Sequence, residues 1–195
     1  MKLRLRSVWA TIGLVTCLAG AADARQGWPT DSLHHVDVSI ETSRGEVTPF
    51  ARNDGRARIV TMFYASCPMA CPLTIDTLRR IDADLTEQQR ARLGVLLLSL
   101  DPEHDTPAAL REVAARRHID DKRWTLGRLS PGDTRKLGAA LGIQYRKLDN
   151  GDFDHASVLI LLDPQGRVLA RSGGMGVPDP EFIRAVKKAT GVGWR

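Results

Sequence analysis

The segment Arg58-Ile59-Val60-Thr61-Met62-Phe63-Tyr64 is followed, after Ala65-Ser66, by Cys67-Pro68-Met69-Ala70-Cys71-Pro72. The first part is almost continuously apolar and rich in β-branched and aromatic residues, which is typical of a strand covered on both faces. Pro72 suits the first position of a helix, and Leu78, Ile81 and Leu85 then recur on one helical face. The sequence therefore predicts a strand–helix junction that carries two cysteines.

Strands and helices alternate on either side of this junction. Further strands are predicted at 36–40, 46–50, 93–100, 124–129, 157–162 and 167–171, and further helices at 106–118, 131–141 and 178–189. Residues 144–148 fit neither pattern clearly. The alternation predicts an α/β fold with a mixed central sheet and helices on both faces. A dithiol at the first strand–helix junction is the thioredoxin arrangement, so residues 25–195 are expected to form one thioredoxin-like domain.

Residues 1–24 have the features of a secretory signal peptide. Basic residues at positions 2, 4 and 6 precede an apolar stretch at 8–20, and Ala22-Asp23-Ala24 offers a small-x-small cleavage site. This pattern predicts export to the periplasm with Arg25 as the first mature residue. Two alternatives remain open, an uncleaved membrane anchor and lipidation at Cys17.

Composition argues against a nucleic-acid-binding protein. Aromatic residues make up 5% of the 195 residues, too few for base-stacking platforms. The formal net charge of +5 would fall to +3 without residues 1–24, and no basic run accompanies it. We therefore expect no nucleic-acid partner.

Export would leave two cysteines, Cys67 and Cys71, one helical turn apart. Backbone N–H groups at a helix start favour negative charge, so a thiolate is stabilised there. The pair is suited to a soft metal ion or to thiol–disulfide exchange, although exchange catalysts usually have C-x-x-C spacing. A structural disulfide is the third interpretation, but so short a loop stabilises a fold little.

Three ligands satisfy Cu(I), and imidazole combines well with sulfur. His155 is the best third ligand because it is expected at the loop–strand edge that opens strand 157–162. Spacing alone does not choose it over the other histidines. His34 and His35 are expected to be solvated, His104 to lie in a turn and His118 near a helix end. Met69 and Met175 offer further sulfur, but methionine more often serves as packing.

Three blocks in order carry a resemblance to a known family. They are 61–72, with both cysteines; Ser99-Leu100-Asp101-Pro102-Glu103-His104-Asp105-Thr106-Pro107; and Asp154-His155-Ala156-Ser157 before Leu161-Leu162-Asp163-Pro164-Gln165-Gly166. With these blocks the chain resembles the Sco/SenC copper-assembly proteins of cytochrome c oxidase biogenesis. It departs from the family pattern at Met69 and Ala156.

The resemblance implies a thioredoxin-like fold and one copper ion, as Cu(I) and also as Cu(II), bound by Cys67, Cys71 and His155. It implies a metallochaperone rather than an enzyme, with an oxidase subunit or another copper chaperone as the acceptor, close to a membrane. The alternative is a thiol–disulfide oxidoreductase in which Cys67 and Cys71 keep partner cysteines reduced. A copper or redox sensor would use the same site.

Overall fold

The computed structural model describes residues 27–67, 70–173 and 175–191. The predicted signal peptide, Cys17 and Met69 lie outside the described residues. The strands are β1 Ser39–Thr42, β2 Val47–Pro49, β3 Ala57–Phe63, β4 Leu93–Ser99, β5 Trp124–Arg128, β6 Tyr145–Lys147, β7 Phe153–His155, β8 Leu159–Leu162 and β9 Val168–Ser172. The helices are α1 Ala70–Ala83, α2 Glu87–Ala91, α3 Pro107–Arg116, α4 Pro131–Ala140 and α5 Pro180–Gly191, with a 3-10 turn at Leu33–His35.

Seven strands form one mixed sheet in the order β2-β1-β5-β4-β3-β8-β9, and β6 and β7 form a separate two-stranded ribbon. Strands β3, β4 and β5 are parallel, whereas the β1–β2, β1–β5, β3–β8 and β8–β9 pairs are antiparallel. Helix α3 packs against β5, α5 against β9, and α2 against β4. The predicted α/β class with a mixed central sheet is confirmed.

The two most apolar strands lie in the middle of the sheet. Every residue of β4 is buried, and Arg58 is the one residue of β3 that is not. Burial of each large side chain in these strands stabilises the fold by about 1.5–3 kcal/mol. Because the strands are parallel and Phe63 pairs with Ser99, both chains leave the sheet at the same edge. The cysteine segment and the loop after β4 are therefore neighbours.

Polar caps start three helices. Thr106 accepts a hydrogen bond from the Ala109 N–H at the start of α3, and Ser130 does the same for Asp133 in α4. The start of α3 was predicted from the Thr106-Pro107 pair, and a helix starting at Pro131 was predicted without its cap. Helix α2, with a capping box at Thr86, was not predicted. None of its residues is buried, so its sequence lacks the apolar repeat that marks a helix. Helix α1 begins at Ala70, two residues before the predicted start at Pro72. None of the described helices is long and apolar enough to cross a membrane.

His34 was expected to be solvated, and this prediction was wrong. Its imidazole is 6% exposed and meets the rings of Trp28 and Phe50 edge-on, with centroids 4.4 and 6.2 Å away. The chain at Gly166 covers it from above, at a backbone φ of +81°. The segment from Trp28 to His34 is thus packed onto the domain by contacts with Phe50 and Gly166, which are distant in sequence.

Candidate metal centre

The cysteine segment is a tight turn between β3 and α1. The Cys67 N–H donates to the Tyr64 carbonyl at 3.2 Å, which closes the turn directly after the strand. Cys67 is half-buried and Cys71, the second residue of α1, is 6% exposed. Both residues carry thiols rather than a disulfide. The sulfur of Cys67 is thus the more accessible of the two.

The start of α1 brings the two cysteines together. The Cys71 N–H donates to the sulfur of Cys67 at 3.3 Å, so an otherwise unsatisfied N–H of the first helical turn points at this sulfur. An N–H dipole in this position favours negative charge on the Cys67 sulfur. At Cys71 the predicted stabilisation of a thiolate is not found. Burial raises the pKa of the Cys71 thiol well above its usual range, and the neighbouring Cys67 raises it further. A soft cation that replaces the protons would relieve both effects.

Tyr64 connects this pair to the predicted histidine. Its ring lies 5.2 Å from that of Phe153 and 6.0 Å from the imidazole of His155, measured between centroids. Burial raises the pKa of the Tyr64 hydroxyl to about 12, and the adjacent Cys67 side chain adds to the rise. Tyr64 therefore contacts both Cys67 and His155. The sequence marked Tyr64 only as a core strand residue.

His155 was predicted to open strand 157–162, and this prediction was wrong. It is the last residue of β7 and pairs with Tyr145 of β6, so it belongs to the two-stranded ribbon. Its Nδ1 lies 3.4 Å from the Ala156 carbonyl oxygen. Burial lowers the pKa of His155, which leaves a neutral imidazole with a lone pair at neutral pH. Such an imidazole can bind a metal ion.

In this conformation the three predicted ligands are neighbours but do not form a closed site. Within the described parts of the chain, the group of three metal-binding side chains whose ligand atoms all lie within 4.8 Å of one another is Asp101, Glu103 and His104. The atoms of Cys67, Cys71 and His155 do not meet that distance. A metal ion bound by all three would draw the ribbon and the cysteine turn together.

The other histidines are separate from the cysteines. His35 contacts the Pro29 carbonyl at 2.9 Å, and His118 follows α3 with a φ of +46°. His104 lies in the turn predicted for it, with its Nδ1 2.9 Å from the Asp101 carboxylate and its side chain 69% exposed. Met175 is 48% exposed in the loop before α5. His155 is thus the histidine whose ring contacts Tyr64, next to the cysteines.

A buried carboxylate holds the cysteine turn in place. One oxygen of Asp105 accepts hydrogen bonds from the Ala65 N–H at 3.0 Å and from the Ser99 hydroxyl at 2.6 Å. The Leu100 N–H also donates to the Phe63 carbonyl at 2.7 Å. These bonds tie the loop after β4 to the residues that lead into Cys67. The sequence block 99–107 was noticed for its resemblance, but the role of Asp105 was not predicted.

A cavity of about 470 Å³ borders the ribbon on the side of this loop. Tyr145, Lys147 and Phe153 of the ribbon line it together with Asp101 and Pro131. The Lys147 ammonium lies 3.8 Å from Asp101 and 5.7 Å from the centre of the Phe153 ring. The ribbon is therefore attached to the domain through side chains that also line this cavity.

Comparison with known proteins decides the family. The SCO1/SenC family model matches residues 37–191, which include both cysteines and His155. The chain belongs to the SCO1/SenC family. A relative from Stutzerimonas stutzeri, whose name makes it a candidate copper-binding protein, is 28% identical over 116 residues. That match covers 57% of this chain and 55% of the relative, so the chain spans about half of the relative's length.

Two solved structures of the family share the fold. Bradyrhizobium japonicum ScoI with copper bound has a TM-score of 0.62 at 20% identity, covering 78% of this chain and 97% of that one. BsSco, a member of the Sco family of cytochrome c oxidase assembly proteins in which a disulfide switch was identified, has a TM-score of 0.65 at 20% identity, covering 80% and 92%. The predicted thioredoxin-like fold is confirmed.

Proposed function

We propose that this protein binds one copper ion through Cys67, Cys71 and His155 and passes it to another protein during assembly of a cytochrome c oxidase. The observation that carries the proposal is the pair of adjacent thiols at the start of α1, with Tyr64 in contact with Cys67 and with the ring of His155. The copper bound to the Bradyrhizobium protein and the assembly family of BsSco support it.

The donor set suits copper as a cargo. Two thiolates and one neutral imidazole match the preference of Cu(I) for soft ligands and low coordination numbers. Copper binding at this site requires the loss of both thiol protons, because the thiolate is the ligand. Since Cys67 is more exposed than Cys71, an acceptor thiol would replace Cys67 first. The ion would then move by exchange of one ligand at a time.

A Cu(I) competition titration of the reduced protein tests this proposal. We expect tight one-to-one binding that weakens about 10-fold or more in His155→Ala, the usual result of losing part of a metal site. His104→Ala is the matched control, since His104 is exposed and pairs with Asp101 instead. Unchanged affinity in His155→Ala, or no tight binding at all, would exclude the three-ligand site.

The adjacent thiols also support a second function, reduction of a partner's disulfide. Cys67 would attack one sulfur of the partner's disulfide, which breaks that bond, releases one partner thiolate and forms a mixed disulfide. Cys71 would then attack the Cys67 sulfur, release the second partner thiolate and close a Cys67–Cys71 disulfide. Two electrons pass to the partner, whose disulfide becomes two thiols. The reductase activity of this protein should be insensitive to His155→Ala and abolished by Cys67→Ser. The same variants thus separate the two functions.

Export is part of the proposal, with residues 1–24 as the signal peptide and an acceptor outside the cytoplasm. The sequence pattern of a basic start, an apolar stretch and Ala22-Asp23-Ala24 supports it. Recovery of the protein from the periplasm with Arg25 as its first residue is the expected result. A chain that keeps residues 1–24 and sediments with membranes would instead be an anchored protein.

A further inference from the structure

A pocket at the opposite end of β3 is lined by basic side chains. Arg58 is the second residue of β3, whereas Cys67 follows its end, so the pocket and the cysteines are separated by most of a seven-residue strand, roughly 20 Å. The pocket has a volume of about 120 Å³. Its cationic side chains are Arg44, Arg52, Arg56, Arg58, Lys122 and Arg123, and its acidic ones are Asp54 and Asp121.

One carboxylate, that of Asp54, forms ion pairs with three of these arginines. Asp54 lies 3.1 Å from a guanidinium nitrogen of Arg56, 3.5 Å from one of Arg52 and 3.9 Å from one of Arg58. A single negative charge cannot neutralise three positive ones. The pocket therefore keeps an excess of positive charge in its own wall.

The remaining arginines of the pocket have partners of their own. Arg44 pairs with Glu46 at 3.1 Å, and Arg123 binds both oxygens of Asp82 at 2.6 and 3.0 Å. These contacts hold the two side chains at the rim. They leave the excess charge around Asp54 unchanged.

Arg58 is held at the floor of the pocket. Its side chain is 11% exposed and donates to the Phe50 carbonyl at 3.0 Å. Burial, together with repulsion from Arg52 and Arg56, lowers the pKa of Arg58 to about 10 against the attraction of Asp54. Gly94, beside Arg58 in β4, lines the pocket without a side chain. An anion in this space would offset both the burial and the repulsion.

We propose that this arginine pocket binds a phosphate group. Guanidinium groups donate paired hydrogen bonds that match the oxygens of phosphate, and several of them converge here around one small space. The volume is sufficient for several water molecules and so for a tetrahedral anion. The group can come from free phosphate or from the headgroup of an anionic phospholipid.

Calorimetric titration of the protein with inorganic phosphate at low ionic strength tests the pocket. The double variant Arg52→Gln/Arg56→Gln should bind phosphate about 10-fold more weakly, because two charge-assisted contacts are lost. Arg52 is exposed, Arg56 is half-buried and neither belongs to the core, so the fold should tolerate the changes. Asp54→Asn should bind severalfold more tightly, since it removes the competing carboxylate. A purely structural role of these residues would not produce opposite shifts.

Arg79→Gln is the matched control, because Arg79 is an exposed arginine of α1 that pairs with Asp76 and does not line the arginine pocket. Its phosphate affinity should equal that of the wild type. No binding of phosphate by the wild type, or equal losses in Arg79→Gln and the double variant, would overturn the proposal. His155→Ala should bind phosphate normally, which makes this test independent of copper.

Vesicles distinguish the two sources of phosphate. Cosedimentation is measured with phosphatidylcholine vesicles that contain or lack phosphatidylglycerol. Binding that requires phosphatidylglycerol and is lost in the double variant assigns the pocket to a lipid headgroup. Phosphate binding without vesicle binding assigns it to the free anion. Vesicle binding without phosphate binding would show adsorption to surface charge and would overturn the proposal.

Discussion

The imidazole of His155 meets the ring of Tyr64 edge-on, with 6.0 Å between their centroids and 76° between their planes. Tyr64 follows the last residue of the central strand β3, and His155 ends a strand of a separate ribbon. The tyrosine is therefore the contact through which the rigid sheet positions the proposed histidine ligand.

Substitution of Tyr64 tests this contact. Tyr64→Ala should lower the free energy of unfolding by about 3–5 kcal/mol, because a buried ring is lost from the core. Copper affinity should fall as well, since His155 loses the ring against which it rests. Tyr64→Phe is the matched control and should keep copper affinity within about threefold, because phenylalanine retains the ring that contacts His155. A threefold change corresponds to about 0.7 kcal/mol. A larger loss in Tyr64→Phe would show that the hydroxyl, rather than the ring, is required.

Asp105→Asn should loosen the cysteine turn. The amide group of asparagine keeps the shape but replaces a charged acceptor of two hydrogen bonds, from Ala65 and Ser99. We expect a loss of about 1–3 kcal/mol in the free energy of unfolding, measured by urea denaturation. Asp133→Asn, in the exposed first turn of α4, is the control and should cost less. Equal stability of Asp105→Asn and wild type would contradict the proposed bracing role.

Acid should destabilise the fold through His34. Burial, with smaller contributions from Arg58 and His35, lowers the pKa of His34 from 6.5 to about 4, although Asp163 and Asp54 oppose the shift. The unfolded chain therefore binds a proton between about pH 6.5 and 4 that the folded chain does not. The stabilisation is complete above pH 6.5 and is lost progressively as the pH falls toward 4, by an amount on the order of 1–3 kcal/mol.

Denaturation curves of wild type and His34→Phe at pH 7.5 and 4.5 measure this effect. Phenylalanine fills the space between Trp28 and Phe50 without titrating, so the variant should lose less stability on acidification. Nδ1 of His34 has no hydrogen-bond partner among the described residues, which is consistent with a neutral ring that tolerates replacement. An identical pH dependence in both proteins would rule out His34 as the source.

Gly166→Ala should be far more destabilising than Gly55→Ala. Both glycines have positive φ values, +81° and +70°, which cost an alanine about 1–2 kcal/mol. A methyl group at Gly166 would also lie 2.6 Å from the ring of His34, whereas one at Gly55 would meet nothing within 4 Å. Thermal unfolding should show a markedly larger loss for Gly166→Ala. Similar losses in the two variants would mean that His34 can move aside.

The parts of the fold that the sequence predicted well are those encoded by local patterns. Strands β3 and β4 were predicted within one residue, because a long apolar run bounded by polar residues has few other interpretations. The start of α3 was predicted at Pro107, because Thr106 caps it by contacts within three residues. These features depend on neighbours in the chain.

The features that the sequence did not predict depend on distant contacts. The burial of His34 requires Gly166 to pack above it, and no local pattern signals such a contact. Strand β7 is only Phe153-Asp154-His155 and becomes a strand by pairing with β6. The bracing by Asp105 likewise needs β3 and β4 to end side by side. The copper ligands were taken from the resemblance, and their roles remain a prediction.

The ribbon of β6 and β7 belongs to neither edge of the main sheet, and a cavity of about 470 Å³ borders it. Movement of the ribbon would break the contacts of Tyr145 and Phe153 with the core and the ion pair of Lys147 with Asp101, but no hydrogen bond of the main sheet. At the proposed copper site, an acceptor that pulled the ribbon outward would withdraw His155 and leave both cysteines in position. Release of the copper ion would then require only the binding of the acceptor to the ribbon, and the rest of the domain would stay folded.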